Sequence, residues 1–170
     1  MGEVLSKELL DTVEANSKEL DKTIKDIIDP YCGELDEYMS FVRGILKDDE
    51  KPPTDLELDD FIMNLSTMIY FASVGTEQLG VRDDLSRAAY KEAYNTARNM
   101  LGKGTVADKN TEAELQTMSE HVVNIIYSKS YKIMKAKVES AQEVLSSVKK
   151  VISRRMADSN FERGERWYGE

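Results

Sequence analysis

Apolar residues recur along this chain at intervals of three and four, and Val, Ile and Thr stand singly inside that rhythm rather than in alternating runs. That period belongs to amphipathic helices, and no strand-like alternation competes with it. A first helix is predicted from about Ser6 to Ile28, with Leu9, Leu10, Val13, Leu20, Ile24 and Ile27 on its apolar side. Asp29-Pro30 is expected to end it, because proline has no N–H for the helical ladder and disfavours the α region in the residue before it. A second helix then starts at Pro30 and carries Leu35, Tyr38, Met39, Val42 and Leu46. The run KDDEKPPTD reads as a loop. Thr54 with Glu57 has the spacing of a capping box and opens a third helix, DLELDDFIMNLSTMIYFASV. Gly75 and Gly80 punctuate the next connection, and a fourth helix is expected from about Arg82 to Leu101.

The last long pattern runs from about Thr111 to Met156, opened by a second capping-box spacing, Thr111 with Glu114. Within it, Tyr127, Tyr131, Met134, Val138, Ala141, Leu145, Val148 and Ile152 follow intervals of 4, 3, 4, 3, 4, 3 and 4. This is the 3.5-residue period of a coiled-coil seam, with Val144 and Val151 widening the apolar face. A helix of about 45 residues is about 68 Å long at 1.5 Å per residue. Either it packs as a hairpin on the chain's own first helices, or its seam joins several copies. The second is the sharper expectation. The fold class is therefore all-α, helical hairpins with a long C-terminal helix that forms a coiled-coil-like oligomer seam. The closing stretch, 157–170, is polar and is expected to be a flexible tail.

Composition changes this picture in one respect. The net charge of −9 is unevenly spread: residues 1–81 hold 7 basic and 19 acidic side chains, a net of −12, whereas residues 82–156 hold 14 basic and 9 acidic, a net of +5. An acidic helical region, 1–81, thus precedes a basic one, 82–156, and local charge rather than the whole-chain sum sets the field a partner meets. One cysteine, Cys32, and one histidine, His121, leave neither an internal disulfide nor a common zinc arrangement. The opening MGEVLSKELLDTVEAN is acidic and amphipathic, unlike a secretory signal, and no apolar run reaches the ~20 residues of a membrane span. A reducing cytoplasm is the expected location, with no membrane partner. No catalytic residue, cofactor or metal is predicted. Asp55, Glu57, Asp59 and Asp60 cluster at a helix start, where the macrodipole favours carboxylates regardless of any metal.

The GKGT at 102–105 looks like part of a phosphate loop and fails the test for one. The glycine required five residues earlier is Ala97, the hydroxyl position is Gly104, and a helix rather than a strand precedes it. The stretch reads as a hinge between two helices. Beside it, Arg87, Lys91, Tyr94 and Arg98 are spaced 4, 3 and 4 on one helical face, with Lys103 after the helix end. Cations to follow phosphates and a ring on which a base can stack are the ingredients of a single-stranded nucleic-acid groove.

The segments RAAYKEAYNTAR, MLGKGTVADKN and EAEL, followed by SYKIMKAKVESAQEVLSSVKKVISRRM, resemble the UvsY-like recombination mediators of bacteriophages over roughly residues 82–156. The resemblance implies a single-stranded-DNA-binding accessory factor of homologous recombination. It would help a RecA-type recombinase load where single-strand-binding protein sits, in a ring of six or seven copies joined by C-terminal helices, in the host cytoplasm. It implies DNA contact at Arg98. Thr96 stands where a second basic residue is expected, so Arg87, Lys91, Tyr94 and Lys103 rest on helix geometry. The reading from another class is a helical scaffolding protein that assembles without binding nucleic acid.

Overall fold

The computed structural model describes the backbone of residues 2–48, 50–102 and 104–167, and the side chains of 11–48, 50–102 and 104–159. The described residues are all-α: α1 (Gly2–Leu46), α2 (Asp55–Met100), α3 (Val106–Gln116) and α4 (Met118–Trp167). Three of these exceed the usual three or four turns of a globular helix. Such helices persist by burying a continuous stripe, and α2 shows how. Leu58, Phe61, Leu65, Ile69, Ala72, Thr76, Leu79, Asp83 and Ser86 are all buried, at intervals of three and four.

Two predicted breaks do not occur. Pro30 lies inside α1. The missing hydrogen bond costs about 3 kcal/mol in a helix interior, and burial of Ile24, Ile28, Cys32 and Leu35 on either side holds the helix through it. Gly75 and Gly80 likewise lie within α2. Gly80 has a packing reason to be there: a Cβ at this position would stand 3.3 Å from Cε2 of the Tyr131 ring. The tail is also corrected, since α4 continues to Trp167. Polar residues such as Glu and Arg have helix propensities close to that of Ala, so a helix can outrun its apolar contacts. Residues 168–170 lie outside those described.

The chain forms two compact units, Met1–Pro30 with Gly75–Met134, and Tyr31–Val74 with Lys135–Glu170. They do not follow the acidic and basic regions of the sequence, because charge marks surfaces and packing follows the buried stripes. In the unit containing Tyr31–Val74, the core is Cys32, Leu35, Met39 and Val42 of α1, Leu58, Phe61, Leu65 and Ile69 of α2, and Val138, Ala141, Val144 and Val148 of α4. Tyr38 and Phe41 set their rings 6.4 and 6.1 Å from that of Phe61. Lys137 pairs with Asp36, and Arg155 reaches Asp55 at 2.8 Å. The other unit has a more polar interior, with Thr76, Asp83, Ser86, Thr117 and Ser130 buried beside Ile24, Ile28, Leu79, Ala113 and Met134.

This assignment corrects the oligomer seam. Met134, Val138, Ala141 and Val148 are buried within the single chain, and Tyr127, Tyr131, Leu145 and Ile152 are half-buried. The 3.5-residue seam exists, but the chain's own helices cover it. A period specifies an apolar face, not whose helix meets it.

The Thr54–Glu57 box is present: the Thr54 N–H and hydroxyl donate to Glu57 Oε2 at 2.7 and 2.8 Å, and the Glu57 N–H donates to Thr54 Oγ1 at 3.2 Å. These bonds, the backbone one foremost, hold the Glu57 carboxyl below its ordinary pKa. The second box forms at Thr105 and Asp108, not Thr111 and Glu114. Thr111 sits inside α3 and returns its hydroxyl to the Ala107 carbonyl at 3.1 Å. Asp108 is lowered by the Thr105 hydroxyl and N–H.

Truncating Leu65, which is fully buried, to alanine should cost about 2–5 kcal/mol of stability, read from the urea midpoint. The lowered carboxyls contribute stability that is present above their unfolded pKa and fades as pH falls through the folded one. Wild type should therefore lose more stability on going below about pH 4 than a Glu57→Gln, Asp108→Asn double variant. Equal losses would assign the acid sensitivity elsewhere.

Candidate nucleic-acid interface

The predicted basic row lies on the last turns of α2. Lys91 and Arg98 are exposed and Tyr94 is half-buried, as their spacing requires. Lys103 lies outside the described residues. Among the described residues neither Lys91 nor Arg98 has a carboxylate partner. They stand seven residues apart, about 10.5 Å along the helix at 1.5 Å per residue. Arg98 also sits in the last turn of α2, where any cation is favoured by the exposed carbonyls.

Arg87 is different. Its guanidinium donates to Asp83 Oδ2 at 2.8 Å and lies 3.9 Å from Asp84. Asp83 is only 5% exposed, and among the described residues nothing donates to its Oδ1. The arginine thus neutralises a carboxylate that the fold has taken out of water, and its charge is largely spent. The Ser86 hydroxyl donates to the Asp83 carbonyl at 2.9 Å and receives Asn124 Nδ2 of α4 at 3.1 Å. This polar chain links α2 to α4 beneath the row. An aspartate four residues before an arginine is the sequence signal that Arg87 is engaged.

Sequence reasoning also missed Tyr90. Its ring lies 6.4 Å from that of Tyr94 and 4.9 Å from that of His121. The four-residue spacing of Tyr90 and Tyr94 was legible, but the approach of His121 from α4 was not. Tyr94 thus shares a helical face with Lys91 and Arg98, and Tyr90 links it to His121. A groove of about 530 Å³ lies along Ala89, Ala93, Thr96 and Ala97, and Glu92 and Glu120 rim it. Those carboxylates make it a poor seat for phosphate.

The turn into the next helices is short. Thr117 alone separates α3 from α4. Its N–H and hydroxyl both donate to the Ala113 carbonyl, at 3.1 and 2.8 Å, while its own carbonyl accepts the His121 N–H at 3.0 Å. The break thus costs little hydrogen bonding, and it carries His121 on the first turn of α4 towards Tyr90. No model of a protein family, no curated protein and no solved structure matches this chain.

Replacing Arg87 by alanine should cost about 1–3 kcal/mol, the penalty for leaving a buried acceptor unsatisfied, whereas Lys91→Ala should be nearly neutral. Thermal melts of the two variants check this contrast.

Proposed function

We propose that the chain is a single-stranded-DNA-binding recombination mediator, with its nucleic-acid surface at the C-terminal end of α2. The supporting observation is that Lys91 and Arg98, exposed and without carboxylate partners among the described residues, share a helical face with Tyr94, whose ring adjoins the Tyr90–His121 pair. Cations track a phosphate backbone, and ring faces accept unpaired bases without regard to sequence. Arg87 drops out of the contact set, and Arg98 remains the residue on which spacing and family resemblance agree. That resemblance supplies the rest of the reading: loading of a RecA-type recombinase where single-strand-binding protein sits. An assembly of more than two copies would have to use surfaces other than the α4 seam, so this reading does not depend on a ring.

A helical assembly module without nucleic acid is the second reading. It is favoured by the exposed apolar residues Val81 and Leu85 of α2. Titration of labelled single-stranded and duplex DNA at two salt concentrations separates the two. The mediator reading expects a preference for the single strand and weakening as salt rises. Lys91→Glu with Arg98→Glu should weaken binding at least about tenfold, a difference of about 1.4 kcal/mol, and flatten the salt slope. Absence of binding at low salt overturns it in favour of the assembly module, and affinity indifferent to that double variant overturns the placement of the surface at the end of α2.

A further inference from the structure

The N-terminal portion of α2 presents an apolar face that its own core does not use. Leu56, Met63 and Tyr70 follow one another at intervals of seven and are 73%, 71% and 65% exposed. Phe71, 64% exposed, sets its ring 5.5 Å from that of Tyr70 in an edge-on pair. Seven residues are close to two helical turns, so the three side chains form a line along the helix. The core of this unit lies on another face of α2, at Leu58, Phe61 and Leu65. Isolated exposed apolar residues are ordinary, but an aligned set ending in a ring pair is an interaction surface.

The surrounding charge identifies the occupant. No lysine or arginine occurs from residue 52 to residue 81. Of the nearby carboxylates, Asp55 is engaged by Arg155 and Glu57 by Thr54. Asp59 and Asp60 are exposed and, among the described residues, without a cationic partner. At about 100° per residue they fall on either side of the line from Leu56 to Met63. A second copy paired through this same face would set its own Asp59 and Asp60 against these carboxylates and bring no cation from residues 52–81. A seven-residue repeat of apolar side chains suits a helix, which places its own side chains at three and four.

We infer that Leu56, Met63, Tyr70 and Phe71 form a docking face for a basic amphipathic helix of a protein partner, whose cations meet Asp59 and Asp60. The surface is independent of the proposed DNA contacts, so one can fail without the other.

The full chain is titrated by anisotropy with a labelled 21-residue helical peptide bearing leucines at alternating three- and four-residue spacing and lysines on its flanks. The same peptide with glutamate for lysine is the control. The lysine peptide should bind and the glutamate peptide should not. Met63→Glu with Tyr70→Glu, both solvent-exposed and so expected to melt like wild type, should weaken binding at least about tenfold. Asp59→Asn with Asp60→Asn leaves the apolar line intact and should weaken it about threefold or more, with the effect shrinking as salt rises. Lysine-peptide binding that ignores both double variants would mean attraction by net charge alone and would overturn the proposal. So would equal binding of the glutamate peptide, or concentration-dependent self-association that Met63→Glu with Tyr70→Glu abolishes, because a second copy would then be the occupant.

Discussion

Helices of 45, 46 and 50 residues do not hold their form by propensity alone. Each is held by the part of its length that keeps one face turned to neighbours. Alternating intervals of three and four do this on α2 from Leu58 to Ser86, and the corresponding stripes on α1 and α4 meet the same requirement. That shared period fixes which side chains are left for solvent and for partners. It also explains why a proline and two glycines fail to break their helices: each interrupts the backbone locally, while burial on both sides restores continuity.

The two units solve the packing problem with different chemistry. The core with Leu35, Leu58, Leu65 and Val148 is apolar and needs only shape. The core with Thr76, Asp83, Ser86 and Ser130 needs its hydrogen bonds as well. Polar groups in such a position fix a register, because any slide between α2 and α4 would strand Ser86 and Asn124. That fixed register holds Tyr90 against His121. It also explains why one cation of the expected row turns to a structural carboxylate while Lys91 and Arg98 remain directed to solvent. The acidic, apolar end of α2 and its basic, aromatic end therefore offer distinct chemistries on one helix.

Much of the fold was legible in the sequence. The all-α class followed from the period, and the loop before Thr54 from KDDEKPPTD. The Thr54–Glu57 box followed from its spacing, and the α4 stripe from its intervals. The helix stops at Pro30 and Gly75 were misread, yet both residues sit where the compact units change. Local chemistry marked a transition, but tertiary burial decided that the helix would continue. The Thr105–Asp108 box departs from the usual Glu or Gln at that position, and the shorter Asp serves as well. The coverage of the α4 seam was not legible, since an apolar period is the same whether another copy or α1 and α2 lie against it. In the candidate site, Lys91 and Arg98 came from spacing. The loss of Arg87 to Asp83 was available as an i, i+4 pair, and only the meeting of Tyr90 with His121 required three dimensions.

Both units are discontinuous along the chain, and both draw on α4. During synthesis the helices α1 and α2 emerge first with their stripes uncovered, including Leu35 and Leu65. At about 5–20 residues per second, several seconds pass before Val138 to Val148 are made to cover them. The unit of Met1–Pro30 and Gly75–Met134 has its whole sequence once Met134 is made, whereas the other waits for Lys135 and beyond. A translational pause before α4 would prolong the interval in which Leu35 and Leu65 stand uncovered.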